Sequence, residues 1–314
     1  MKKTLQISIY WVLFFLMGIS ISANAQDESG LPTKKSPFKL TLNYVSNQVY
    51  HGRKDSLPVP YLSTAFRYLN HSGFYVKAEA SYLLSSYAQR IDLVNLSIGY
   101  EKLIGDHFGI STGVDKSFYN PNSVSVRSEI LGNVNLGSFF TSDYLNASAE
   151  IYAMFSESKT DMTFDFGVSH EFSFADNAWS IEPSVYSNIS TRNYYDMYIN
   201  KRQTKNGKKR TANGTIINVP GSTITTTTTV NAMNPMQFVI MDYELSLPIN
   251  YFGNNWGLFL TPSFAIPQSA ITYITNTTTT TTTSGVTHSK TVSNLSEERL
   301  ETIFYAEVGV FFKF

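Results

Sequence analysis

The chain has 314 residues, with 24 basic and 24 acidic side chains, no cysteine, and 22 Phe and 20 Tyr. Lack of cysteine excludes a disulfide framework, a thiol nucleophile and any Cys-ligated metal. Balanced charge excludes the basic footprint of a nucleic-acid binder, and the length allows two domains or one large all-β domain.

At the N-terminus Lys2 and Lys3 precede an apolar run over residues 7–21, and Ala23-Asn24-Ala25 stands before Gln26. This pattern predicts a signal peptide over 1–25, cleaved after Ala25. The run is about fifteen residues, short of the ~20 that a spanning helix needs. It is followed by neither a basic flank nor a cysteine for lipid attachment. Removing Lys2 and Lys3 leaves 22 basic against 24 acidic residues, a net charge near −2. No later apolar segment is long enough to cross a membrane as a helix. A membrane-bound chain of this kind must be a closed barrel, because each backbone polar group needs a partner inside the hydrocarbon.

After a short segment over 26–37, apolar and polar residues alternate with a period of two in twelve stretches: 38–50, 59–69, 73–84, 91–102, 107–119, 125–140, 144–155, 161–174, 178–192, 236–251, 256–266 and 303–314. Alternation puts the two sets on opposite faces of a strand. Short connections at 70–72, 103–106, 141–143, 175–177 and 252–255 alternate with longer ones at 51–58, 85–90, 120–124, 156–160, 191–235 and 267–302. An even strand count with short turns at one end and long loops at the other is the outer-membrane barrel pattern, with both ends of the chain in the periplasm. One domain over 38–314 is expected, with its largest outer loops at 191–235 and 267–302.

One face of these strands is apolar, as in Leu40-Leu42-Tyr44, Val76-Ala78-Ala80-Tyr82 and Met241-Tyr243-Leu245-Leu247-Ile249. The other is expected to line the lumen with Arg67, Lys77, Glu79, Glu101, Asp115, Arg127, Glu129, Glu150, Asp165, Glu171, Glu182, Asp242, Glu244 and Glu307. With Lys39, Arg192 and Lys313 the count is eleven acidic against six basic, which implies cation preference if that face meets open water. Aromatics crowd the short-turn end, as a membrane-boundary girdle would. Pro183, Pro248 and Pro262 fall inside strands and call for bulges. Lys116 and His170 land on the apolar face, where a charge is tolerated only near an interface.

The last twelve residues read IFYAEVGVFFKF. Phe314, Phe312, Val310 and Val308 share the apolar face, while Glu307 and Lys313 share the other. The pattern resembles the C-terminal recognition strand of bacterial outer-membrane barrels, which the barrel-assembly machinery reads. It should pair with the first strand to close the cylinder.

Two segments stand apart. Lys201, Arg202, Lys205, Lys208, Lys209 and Arg210 crowd the 191–235 loop. They read as a solvated loop tip, or as a basic vestibule that draws anions, or as a contact with lipopolysaccharide phosphates. The threonine runs at 225–229 and 277–283 favour strands and are expected to form hairpins that continue the barrel wall above the membrane, with disorder as the alternative.

Residues 44–82 resemble the N-terminal hairpin of the TorF-like porin family. The resemblance is carried by Tyr50 and Gly52 in the loop, Pro60 at a strand start, Tyr68, and the Ser72-Gly73-Phe74-Tyr75 turn. It implies an outer-membrane barrel with a pore and names no solute. An outer-membrane lipid hydrolase would resemble its class in a His-x-Ser pair. The residues two beyond His51, His71, His107, His170 and His288 are Arg53, Gly73, Gly109, Phe172 and Lys290. No metal-ligand spacing or phosphate-cradling glycine loop is present, so no cofactor is expected.

The expectation is a twelve-stranded antiparallel up-and-down barrel in the outer membrane, passing a small hydrophilic solute and not an enzyme. The competing class is a non-conducting surface or structural barrel acting through its long loops, and a lipid hydrolase comes third. Partners are lipid, lipopolysaccharide and the assembly machinery; a lipid-facing patch could also be a homo-oligomer contact.

Overall fold

The computed structural model describes residues 37–206, 215–219 and 222–314. The expected signal peptide and residues 26–36 lie outside the described residues.

Alternating sequence becomes one closed antiparallel sheet. Its pieces are β1 (Phe38–Val45), β2 (Tyr61–Leu69), β3 (Phe74–Ser85), β4 (Ala88–Ile104), β5 (Phe108–Tyr119), β6 (Gly132–Phe140), β7 (Asn146–Phe155), β8 (Thr160–Ser169), β9 (Phe172–Phe174), β10 (Trp179–Ile181) and β11 (Ser184–Ser190). A helix α1 (Asn193–Asn206) follows, then β12 (Thr215–Val219), β13 (Ser222–Ala232), β14 (Val239–Ser246), β15 (Ile249–Phe252), β16 (Trp256–Pro267), β17 (Thr272–Thr283), β18 (Val286–Glu297) and β19 (Ile303–Lys313). Each wall pairs with its neighbour in sequence, β19 pairs with β1, and β14 with β16 completes the ring. Fifteen strand pieces, three walls being made of two pieces each, give twelve walls. The closing register sets Leu40 opposite Phe312 and Leu42 opposite Val310, as the face assignment of the last strand requires.

The outside is apolar. Phe74, Ile98 and Leu136 are 60, 59 and 63 % exposed. A water-soluble protein does not leave such a continuous band uncovered. Rings gather at the short-turn rim, where Phe38 lies 5.0 Å from Tyr68, Phe74 5.0 Å from Tyr100, and Tyr251 5.0 Å from Trp179. The barrel is therefore lipid-facing. Lys116 does face outward, one turn of pleat below the loop rim, with its ammonium 5.7 Å from the Phe118 ring. Near that interface its cost is ~0–1 kcal/mol rather than the ~2–4 kcal/mol of the midplane.

Several expectations are corrected. Pro183 and Pro248 do not sit in bulges; they split their walls into β10 and β11, and β14 and β15. A third wall splits at His170 and Glu171. Each break still shares one backbone bond with the next wall: His170 N donates to Pro183 O at 3.3 Å, Glu182 N to Pro248 O at 2.9 Å, and Leu247 N to Pro262 O at 3.0 Å. A residue of an antiparallel strand points both backbone polar groups at the same neighbour. The missing N–H of Pro262 thus faces the break at Leu247, and β16 runs on unbroken beside β19.

Two walls contain real bulges: Asp92 is the extra residue on β4, and Met241 the extra residue on β14. Met241 is consequently turned off the lipid row expected for it and is fully buried. The expected 85–90 loop is only the Ser86-Tyr87 turn, because β3 and β4 rise together as a tall hairpin. The strand expected at 125–140 begins at Gly132. Ser125 caps a 3-10 turn over Val126–Glu129, so Arg127 and Glu129 stand on a loop and not on the wall. The threonine runs form the expected hairpins, β12–β13 and β17–β18, but do not continue the barrel wall. They pair with each other in a four-stranded sheet, β12-β13-β17-β18, that shares no ladder with the barrel.

On the inside, strand glycines make room for rings. A Cβ on Gly309 would lie 2.3 Å from the Leu42 carbonyl oxygen and 2.5 Å from Phe259 Cζ. Gly309→Leu is therefore expected to cost about 1–3 kcal/mol, since backbone and ring cannot both yield. The check is the folded fraction after detergent refolding, read as heat-modifiable gel mobility.

Candidate functional site

The interior wall carries charged and polar side chains from rim to rim, with aromatic rings between them. Near the short turns Arg67 pairs with Glu101 at 2.5 Å, and Glu182 accepts from Ser169 Oγ at 2.6 Å. Higher up, Lys77 pairs with Glu79 at 3.3 Å, and Asp115 accepts from Ser97 and Asn95. Glu150 stands directly across from Asp165 and accepts from Tyr152 Oη at 2.5 Å. Asp242 accepts from Asn188 Nδ2 at 2.8 Å, and Glu244 lies one pleat below it on β14. Across the closing pair, Asn43 donates to Glu307. Glu171 falls in the β8–β9 break, where Ser173 Oγ donates to it at 2.9 Å. Phe314, Phe312, Val310 and Val308 point to the lipid side. The inward rings Tyr75, Phe139, Phe259 and Phe311 were not anticipated; Lys39 and Lys313 sit 4.8 and 5.5 Å from the Phe311 ring.

The loop rim is filled. Residues 46–60, the 3-10 turn, α1 and the start of the β16–β19 connection fold together in the mouth. Their apolar centre is Val126, Ile130, Met154, Tyr194, Tyr195, Tyr198 and Ile271, with Tyr50 and Tyr152 against it. Polar clasps hold the parts. Asp161, at the top of β8, accepts from Thr191 Oγ1 (2.6 Å), Asn193 N (2.7 Å) and Tyr194 N (2.7 Å), which fixes the first turn of α1. Arg53 grips Glu298 with two nitrogens, at 3.1 and 2.9 Å, and gives further bonds to the carbonyls of His51 and Ser269. Glu298 also accepts from Tyr195 Oη at 3.0 Å and Ile271 N at 3.2 Å, and Tyr198 Oη donates to Asp55 at 2.5 Å. Gly52 must be glycine: its φ is +71°, and a Cβ there would lie 2.9 Å from the side chains of Asp242 and Pro267.

Of the basic loop residues, Lys201, Arg202 and Lys205 fall in α1, while Lys208, Lys209 and Arg210 lie outside the described residues. Arg192 closes the mouth beside α1, donating to the carbonyls of Ala270 and Asn234 at 3.4 Å each. Among the described residues no group of three or more metal-ligating side chains comes together.

His51 is buried in this plug. Its ring stacks on Tyr50 at 3.9 Å, and Tyr194 Oη lies 3.4 Å from Nδ1. Burial first, then the charges of Arg53 and Arg127, push its pKa well below the ordinary value. In the unfolded segment it titrates at about 6.5. Plug stability is thus complete above that value and falls as pH drops below it, by no more than ~1.4 kcal/mol per pH unit. Protease sensitivity of residues 46–60 should rise on acidification, and His51→Gln should flatten the profile.

No protein-family model matches the chain, and no curated protein matches it. Among solved structures it is similar to a KdgM porin, at 10 % identity over 88 % of this chain and 99 % of that one, with a TM-score of 0.45. It is similar to a NanC porin at 12 % identity over 88 and 100 % of the two chains (TM-score 0.39). LpxR from Salmonella typhimurium is similar at 9 % identity over 88 and 100 % (TM-score 0.42). The chain is a closed twelve-walled barrel of the outer-membrane type.

Proposed function

We propose that the protein is a porin-like channel that passes a small hydrophilic solute through a narrow, net-acidic lumen constricted by its plug. The observation that carries this reading is the interior wall, where Arg67 and Glu101, Lys77 and Glu79, Glu150 and Asp165, and Asn188 and Asp242 line the inside of a closed barrel whose outside is apolar. So many charged groups inside one barrel suit a hydrated passage, since a dry core takes them up only at high cost. The TorF-like resemblance of residues 44–82 agrees with a pore. On this reading the long loops face the cell exterior, where the basic residues of 201–210 would meet lipopolysaccharide, and the assembly machinery reads the strand ending in Phe314. The excess of wall carboxylates gives modest cation preference.

Swelling of proteoliposomes in isosmotic polyols tests it. Entry of the smallest polyols and exclusion of larger ones is expected; no swelling with any polyol, from protein shown folded by heat-modifiable mobility, overturns it. The filled mouth and the separate threonine sheet favour a second reading, a non-conducting surface barrel. Deleting the 222–232 and 272–297 strands should leave permeation intact in a channel and abolish the activity of a surface protein.

A further inference from the structure

The lumen wall gathers carboxylates from strands far apart in sequence: Glu79 on β3, Asp115 on β5, Glu150 on β7 and Asp165 on β8. The wall's own cations here, Lys77 and Arg67 across from it, are taken by Glu79 and Glu101. A third is delivered from a loop. The 120–131 connection dips inward, its 3-10 turn anchored by buried Val126 and Ile130, and Arg127 projects from it. The Arg127 guanidinium lies 4.8 Å from the Tyr50 ring, on which it rests as a cation on a π face. Its Nε is enclosed and has no acceptor. Tyr50 in turn reaches Met154 Sδ on β7 at 2.7 Å, one pleat above Tyr152, whose hydroxyl bonds Glu150 directly across from Asp165, so the guanidinium stands above this acidic stretch of wall. Asn133, 8 % exposed and directly across from Asp115, also aims an oxygen that finds no donor in the protein.

A guanidinium with an unmet donor, held above Glu150 and Asp165, which pair with no lysine or arginine among the described residues, balances charge without forming an ion pair. We infer that Arg127 is the built-in counter-cation of the lumen, set by its loop where a permeating cation would otherwise reside, and is thereby the residue that determines charge selectivity. The selectivity half of this inference rests on the channel reading; the placement half does not.

Two readouts on the full-length barrel in detergent and in planar bilayers separate these halves. The probe for placement is Tb³⁺, whose luminescence the neighbouring tyrosines Tyr50 and Tyr119 can sensitise. Arg127→Gln is expected to bind Tb³⁺ about tenfold more tightly than the wild type, because a single positive charge has left the site. Arg127→Lys should bind like the wild type. Equal affinity of wild type and Arg127→Gln overturns the inference. Arg127 stands on a loop and not on the wall, so the variant should keep heat-modifiable mobility; Arg127→Met provides the same charge loss by a second route. The probe for selectivity is the reversal potential in a KCl gradient, expected to move toward the potassium potential in Arg127→Gln and to stay put in Arg127→Lys. Tighter Tb³⁺ binding with an unmoved reversal potential overturns the selectivity half. Tighter Tb³⁺ binding with no conductance from any variant upholds the counter-cation and defeats the channel reading.

Discussion

Asp161→Ala should release α1 from the mouth of the barrel while leaving the wall folded. The Asp161 carboxylate is almost wholly buried and accepts from Thr191, Asn193 and Tyr194, so both its oxygens are engaged at the first turn of the helix. Charge-assisted bonds of this kind are worth about 1.5–3 kcal/mol each, and an N-cap alone about 1 kcal/mol. Docking of α1 should weaken by roughly 3–5 kcal/mol, after allowing for non-additivity. The side chain lies at the end of β8, where its removal touches no ladder bond. Hydrogen exchange should therefore accelerate over 193–199 and not over β7 or β8, and conductance should rise. Asp161→Asn, which keeps one acceptor oxygen and loses the charge, is expected to fall between.

Arg53→Met should loosen a different part of the same plug. Arg53 and Glu298 are both nearly buried, with side chains 2 and 11 % exposed. Removing one member of a buried pair strands the other charge and costs about 3–5 kcal/mol. Glu298 also holds Tyr195 and the Ile271 amide, so the loss should spread from residues 46–60 to α1 and the β16–β17 linker. Arg53→Met with Glu298→Leu should recover part of the loss, because neither variant then buries an unpaired charge. Exchange rates in the two loops measure it; the heat-modifiable transition of the barrel should stay where it is.

The wall was legible because lipid on one side and polar groups on the other impose a period of two on every strand. Leu40, Leu42 and Tyr44 on β1 and Phe312 and Val310 on β19 show this: their faces follow from alternation alone, and the pairing of first and last strands follows from closure. The plug was not legible in this way. His51, Arg53 and Asp55 lie in a hydrophilic stretch that reads as a solvated loop, since charged loop residues usually meet water. They are buried only because Glu298 and Tyr198, at least 140 residues away in sequence, come to meet them. Alternation over Ser125 to Ile130 puts Arg127 and Glu129 on a wall, whereas burial of Val126 and Ile130 together wins and turns the segment inward. One signal was available: Tyr194, Tyr195 and Tyr198 sit at helical spacing inside a segment with no strand alternation. The proline row follows a related rule. A lone proline in a strand suggests a bulge, but prolines aligned across adjacent walls share a single slanted break.

Single-channel recording from the refolded wild type and Asp161→Ala, each first shown folded by heat-modifiable mobility, tests most directly that this is a water-filled barrel constricted by its own loops. Small discrete steps from the wild type, enlarged in Asp161→Ala, are the expected result. Folded barrels that give no steps in either form would contradict it.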